Sequence, residues 1–189
     1  MQMKKYWDKA LTFEQYLEVN KQRLENPSDQ QEKDFAPYYE LAEQRMGRAI
    51  KTFKADPAQQ ALLLTKGFKG KVLIISEPWC GDASQTVPSV VAFFQDYNPV
   101  RIFLRDSDPS LIEQYLTEGT QSIPIVVLLD ENYQPIAHWG PRPRYGQQLL
   151  KKFKADPQGY PKEEFYNDLQ VYYTKNRGKD AIAEILELL

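Results

Sequence analysis

The sequence predicts an α/β fold: a mixed four-stranded sheet flanked by helices, with a helical N-terminal extension and a helical C-terminal tail. Three observations predict it. Val72-Leu73-Ile74-Ile75 is a short, β-branched apolar run of the kind that forms a strand buried on both faces. Strand and helix patterns alternate after it. Two further runs, residues 125–129 and 134–139, are joined by Asp130-Glu131-Asn132-Tyr133 and read as a hairpin. A βαβ half followed by an antiparallel hairpin and a helix gives a mixed sheet covered on both faces. The expected limits are 1–66 for the extension, 67–155 for the sheet-bearing domain and 156–189 for the tail, packed on the same domain.

Taken in order, residues 1–66 carry helical patterns and no strand pattern. Thr12 can cap a helix with Phe13, Tyr16, Leu17 and Leu24 on one face, and Pro37 can open another that runs to Lys54. Asp56-Pro57 is a cap-then-proline start for a short helix over Ala61, Leu62 and Leu63, which Gly67 and Gly70 end. After the first strand, residues 83–95 read as a helix, residues 100–104 as a strand, and Asp108-Pro109 as the start of a further helix. Residues 145–154 supply one more helix beyond the hairpin. A break at residues 157–161 follows, then a helical tail over 162–189, interrupted near Gly178, with Ile182, Ile185, Leu186 and Leu189 at helical spacing. The pentapeptide Phe-Lys-Ala-Asp-Pro occurs at 53–57 and again at 153–157 without any period linking the copies, and reads as a helix-end idiom or chance.

Composition narrows the function classes. The 24 Lys and Arg against 26 Asp and Glu give a net charge of -2, too little positive field to hold a phosphate backbone or an anionic membrane. No apolar run approaches the 18 or so residues a membrane span requires, and Met1-Gln2-Met3-Lys4-Lys5 leads into polar sequence without an apolar signal core. The expectation is a cytoplasmic protein that engages neither nucleic acid nor membrane. Cys80 is the single cysteine, so an internal disulfide is excluded and the thiol is free. His138 is the single histidine and offers no ligand spacing with Cys80; neither a metal nor a cofactor is expected.

The residues with chemistry are Trp79-Cys80-Gly81-Asp82, where the first strand ends and the next helix begins. Unsatisfied N–H groups and the macrodipole at a helix N-terminus favour negative charge, so a thiol placed there ionises more easily. Elsewhere a lone cysteine would be filler.

At this turn the sequence resembles the thioredoxin superfamily, whose signature is Trp-Cys-Gly-Pro-Cys at a helix start. Pro88 stands inside the following helix, where thioredoxins carry a kinking proline. Ser122-Ile123-Pro124 opens the third strand 44 positions after Cys80 (124 minus 80), the place of the family's cis-proline, and Gly140 matches a family glycine beyond the hairpin. The resemblance implies that Cys80 attacks a disulfide or oxidised sulfur, and that a cis bond before Pro124 exposes the Ile123 backbone to an extended substrate. It further implies that Trp79, Gly81, Asp82 and Trp139 frame a substrate site; ordinary core packing is the alternative for both tryptophans. The partner implied is a protein or a low-molecular-weight disulfide or thiol.

Two departures interrupt that mechanism. Ala83 occupies the place of the resolving cysteine, so a dithiol cycle is closed to this chain. Ile74 stands where thioredoxins hold a buried aspartate. Asp82 brings a carboxylate close to the sulfur, which opposes ionisation; alternatively it serves as the helix N-cap. Three accounts follow: monothiol exchange in which glutathione or bacillithiol resolves the mixed disulfide at Cys80; a non-catalytic thioredoxin-fold binding protein; or a resolving-cysteine-to-alanine variant of a dithiol oxidoreductase. Arg105, Arg142 or Arg144 could hold the carboxylates of a small thiol, or lie as solvated surface.

Overall fold

The computed structural model describes residues 2–189 and places five helices before the first strand. They are α1 (Gln2–Lys9), α2 (Phe13–Glu25), α3 (Gln30–Asp34), α4 (Ala36–Thr52) and α5 (Pro57–Lys66). Thr12 closes a reciprocal capping box with Gln15 at the start of α2. Asp56 caps α5, Pro57 occupies its first turn, and Gly67 ends it in the left-handed conformation at φ 63°.

The sheet comprises β1 (Lys71–Ser76), β2 (Val100–Leu104), β3 (Ile125–Leu129) and β4 (Pro135–Trp139), in the order β2-β1-β3-β4. β1 runs parallel to β2, with Val72 opposite Val100, and antiparallel to β3, with Ile74 opposite Val126. β3 and β4 form the hairpin. The outer edge of β2 is occupied: Leu11, between α1 and α2, exchanges both backbone hydrogen bonds with Ile102, at 2.7 and 2.9 Å. A single bridging residue leaves no alternating pattern for sequence to show, yet it removes an exposed strand edge.

Between β1 and β2 runs α6 (Gly81–Phe94), which includes Pro88 and is buried along nearly its whole length. A helix buried on every side must be enclosed on every side. Here the sheet lies beneath it, α4 packs across it, and α9 (Lys179–Glu187) closes another flank. The remaining helices are α7 (Arg144–Ala155) and α8 (Lys162–Asn176), with Gly178 at φ 82° separating α8 from α9 as expected.

One expected element is different. The helix anticipated after Asp108-Pro109 is a short 3₁₀ turn over Ile112–Tyr115, preceded by another at Arg105–Ser107. The Asp108 carboxylate caps Ser110 locally, but within a few residues the chain doubles back: Thr117 and Thr120 bond to each other, and Glu118 and Gly119 take positive φ. Burying Leu111 and Ile112 needs only one turn, and the doubling back leaves no room for a second.

Both copies of the repeated pentapeptide lie at helix ends, the first following α4 and the second spanning the last residues of α7; Asp56 caps the next helix, whereas Asp156 accepts from the Gly159 N–H. Met3, Tyr6, Trp7, Tyr16, Ala42 and Met46 of the preface join β1, β3, α6 and the α9 residues Ile182, Ile185 and Leu186 in one apolar core. A smaller cluster of Leu149, Tyr160, Phe165, Leu169 and Tyr173 lies between α7 and α8. Met46, fully buried between α4 and α6, reports on this shared core. Met46→Ala is expected to lower stability by about 2–5 kcal/mol in a single cooperative urea transition; separate transitions for helix and sheet signals would show the preface unfolding by itself.

Candidate functional site

β1 leads straight into the turn. The Cys80 N–H returns to the Glu77 carbonyl at 3.1 Å, and the Cys80 carbonyl accepts the first helical bond of α6 from Ser84 at 3.0 Å. Cys80 is thus the N-cap residue, with φ -76° and ψ 123°, and its side chain caps nothing. The Sγ–H instead donates to the Ile123 carbonyl at 3.3 Å. The Ile123–Pro124 peptide is cis, as is Gly140–Pro141. Structure therefore brings Cys80, Ile123 and Pro124 together.

Cys80 is 8% exposed as a residue. Burial is the main reason that its pKa is pushed up from an ordinary 9.0 to about 12, and the Asp82 carboxylate adds to the effect. The Ala83 and Asp82 N–H groups and the Arg142 guanidinium pull the other way and are outweighed.

Asp82 is not a helix cap. Its carboxylate accepts from the Tyr173 hydroxyl of α8 at 2.6 Å and from Arg142, whose Nε lies 3.2 Å from both oxygens and whose Nη2 also donates. Capping needs a side chain turned back onto the next backbone N–H groups; this one is turned toward a cation 60 positions away. The pairing also corrects the reading of Arg142 as a ligand for substrate carboxylates or as solvated surface, because its charge is spent on Asp82 and largely buried. Arg144 pairs with Glu184 and Glu187, and Arg105 with Asp106.

A second acid lies on the other side of the turn. Glu77 is 0% exposed and accepts from Arg23 of α2 at 2.7 Å and from the Asp106 N–H at 2.8 Å. Burial raises its pKa against these stabilising contacts. Beside it, the buried Tyr16 and Ser76 hydroxyls are 2.8 Å apart. Sequence reading did not single out Glu77 or Tyr173. A charged residue two positions after the apolar run 72–75, and the stripe Phe165, Leu169, Tyr173 at four-residue spacing, were the available signals.

The tryptophans diverge. Trp79 is half-buried, edge-on to Phe35 of the preface at 5.5 Å and 4.9 Å from the Arg105 guanidinium, with its N–H toward Asp106. Trp139 is buried in the core and donates to Glu184 of α9 at 2.7 Å. Arg45 of α4 approaches the exposed Gly81, where a Cβ would meet its guanidinium at 3.3 Å. Ala83 and Ile74 are both fully buried. Among the described residues, no cluster of three or more His, Cys, Asp or Glu is placed to hold a metal, and no helix is long and apolar enough to cross a membrane.

A family model described as Thioredoxin matches residues 28–154, a span that takes in α3, α4 and α5 as well as the sheet. No curated protein matches the sequence. Two solved structures share the fold. One is a protein of unknown function from Pseudomonas aeruginosa, 16% identical with a TM-score of 0.63, the match covering 96% of this chain and 92% of that one. The other is an HIV epitope-scaffold protein, 16% identical with a TM-score of 0.64, covering 97% and 94%.

The raised thiol pKa makes stability depend on pH with a definite sign. Below pH 9 the sulfur is protonated in both folded and unfolded chains and contributes no slope. Between pH 9 and about 12 the unfolded chain loses the proton while the folded one keeps it, so stability falls as pH rises. Cys80→Ala is expected to flatten that part of the urea-unfolding profile relative to the parent; identical profiles would refute the buried thiol. Asp82→Asn is expected to lower the Cys80 pKa, read as faster iodoacetamide labelling at pH 9, and to cost about 3–5 kcal/mol because the Arg142 charge is left buried alone.

Proposed function

The chain belongs to the thioredoxin superfamily, and from that premise we propose that it is a non-catalytic thioredoxin-fold protein, acting by binding, with Cys80 kept as a covered and protonated thiol. The observation that carries this reading is the Sγ–H bond to the Ile123 carbonyl in a site only 8% exposed, with the thiol pKa at about 12. At pH 7 such a thiol is ionised in about one molecule in 10⁵, against about one in 100 for an unperturbed cysteine of pKa 9.0. Attack on a disulfide requires the thiolate. The carbonyl that an extended substrate would use is also the one that the thiol occupies.

Monothiol exchange is the second reading, and one observation favours it. The Ala83 and Asp82 N–H groups are aimed at the sulfur and lower its pKa, the arrangement a helix N-terminus offers a reactive thiolate. In that cycle the Cys80 thiolate would attack a disulfide and expel one thiolate, and an external glutathione or bacillithiol would then attack the mixed disulfide and release Cys80.

Turnover separates the two. With glutathione or bacillithiol as reductant and a glutathionylated peptide as substrate, the purified protein is expected to give no rate above the uncatalysed background. A rate that vanishes in Cys80→Ser would overturn the non-catalytic reading and establish the monothiol one. Ala83→Cys is expected to leave the rate at background, because Cys80 remains buried and Ile74 supplies no carboxylate; restored dithiol activity would instead mark Ala83 as the one lesion in an oxidoreductase.

A further inference from the structure

Away from the Cys80 turn, α4, α6 and α8 form a partly open cavity of about 70 Å³. Its polar lining is Arg48 and Thr52 of α4, Gln85 and Ser89 of α6, and Thr174 and Arg177 at the end of α8. We propose that this cavity is a binding site for a compact phosphate group, clamped between the Arg48 and Arg177 guanidiniums. The proposal goes beyond the function suggested for Cys80 and does not depend on it.

Arg48 and Arg177, both exposed residues on the open side of the cavity, carry charges without a counter-ion among the described residues. Arg23, Arg105, Arg142 and Arg144 each pair with a carboxylate. Among the described residues, neither Arg48 nor Arg177 makes an ion pair, although acidic residues outnumber basic ones in the chain. Arg45, one turn before Arg48 on α4, enlarges the positive field, and its pKa is lowered first by burial and then by the Arg48 charge. An anion seated between two guanidiniums is attracted by both.

The hydroxyls around the cavity point to the same class of ligand. Ser89 is 2% exposed and, among the described residues, makes no side-chain hydrogen bond even though it lines the cavity. The Gln85 amide nitrogen is spent on Gln170, and the Thr52 and Thr174 hydroxyls donate to carbonyls of their own helices. Tyr173 contributes ring surface, because its hydroxyl is turned toward Asp82. The free donors are therefore two planar guanidinium forks and one buried hydroxyl, which suits an oxyanion with several acceptor oxygens. Backbone geometry supports the placement of the second fork. Arg177 sits at φ 53° and ψ 39°, a left-handed position that usually takes glycine or asparagine. Gly178 lets α8 close onto α6, since a Cβ there would meet the Ser89 Cβ at 2.4 Å. Arg177 is thereby held beside Ser89.

The ligand is either free phosphate or a phosphomonoester on a larger molecule, and two probes distinguish them. Sodium phosphate and O-phosphoserine are titrated into the full chain at constant ionic strength, with sodium chloride and sodium acetate as controls, and backbone amide shifts of Ser89 and residues 174–178 are followed by NMR. Saturable shifts with either phosphate probe are expected; tighter binding of phosphoserine assigns the monoester. Arg48→Gln and Arg177→Gly are each expected to weaken binding at least tenfold. The second leaves the fold secure, because glycine relieves the left-handed position. Phosphate shifts no larger than those with chloride or acetate would overturn the proposal, as would affinities unchanged in both variants.

Discussion

Two buried carboxylates flank the Cys80 turn, and the rest of the molecule is organised around them. Glu77 stands three residues before the cysteine and Asp82 two residues after it. A carboxylate out of water is costly unless it is paired and hydrogen-bonded, so each acid must recruit a cation and further donors. Glu77 takes Arg23 from the preface and the Asp106 N–H that follows β2. Asp82 takes Arg142 from the loop after β4 and the Tyr173 hydroxyl from the tail. The two segments that extend the sheet at either end of the chain are thus tied to the same turn, one through each acid. Removing Asp82 would leave the Arg142 charge without a carboxylate, whereas without Glu77 Arg23 would still hold Glu32 at 3.3 Å.

The electrostatics of the thiol follow from that enclosure. A helix N-terminus stabilises an anion by about 0.3–1 kcal/mol, and by about 2 in favourable buried geometry. A pKa raised from 9.0 to about 12 represents about 4 kcal/mol against the thiolate. Desolvation wins, and the neighbouring Asp82 charge assists it. The preface contributes to this outcome directly: Phe35 packs on Trp79 and Arg45 approaches Gly81, so the helices before the sheet border the turn from which a thioredoxin-like sulfur would act. The match of the family model from residue 28 onward places α3 and α4 within the conserved unit.

Much of the fold was legible because its signals are local. Thr12 with Gln15, Asp56-Pro57 with Gly67, and Gly178 each specify a helix boundary within a few residues, and all are where the sequence puts them. The apolar run at 72–75 and the hairpin are equally self-contained. Asp108-Pro109 carries a genuine start signal too, but whether a helix continues depends on where the chain must go next, and here it turns back at Thr117. Site residues divide on the same line. Cys80, Ile123 and Pro124 could be brought together through the resemblance. Asp82 could be located but not interpreted, because capping is a neighbour's role and its actual partners lie 60 and 91 positions away. Nothing local distinguishes an arginine bound for a buried acid from one bound for solvent.

That limit also explains why the loss of the second sulfur need not be read as damage. A resolving thiol works only if it can lose a proton and reach the first sulfur. The side chain at position 83 is fully buried, and so is the apolar Ile74 where the family holds a carboxylate able to move that proton. The two changes agree with each other and with the enclosure of Cys80 by Ile123, Arg45 and the Asp82 pair. A site built for two-step exchange would keep its sulfur accessible and its neighbouring charges positive. This one surrounds a single thiol with a carbonyl acceptor and a carboxylate, both of which favour the thiol over the thiolate.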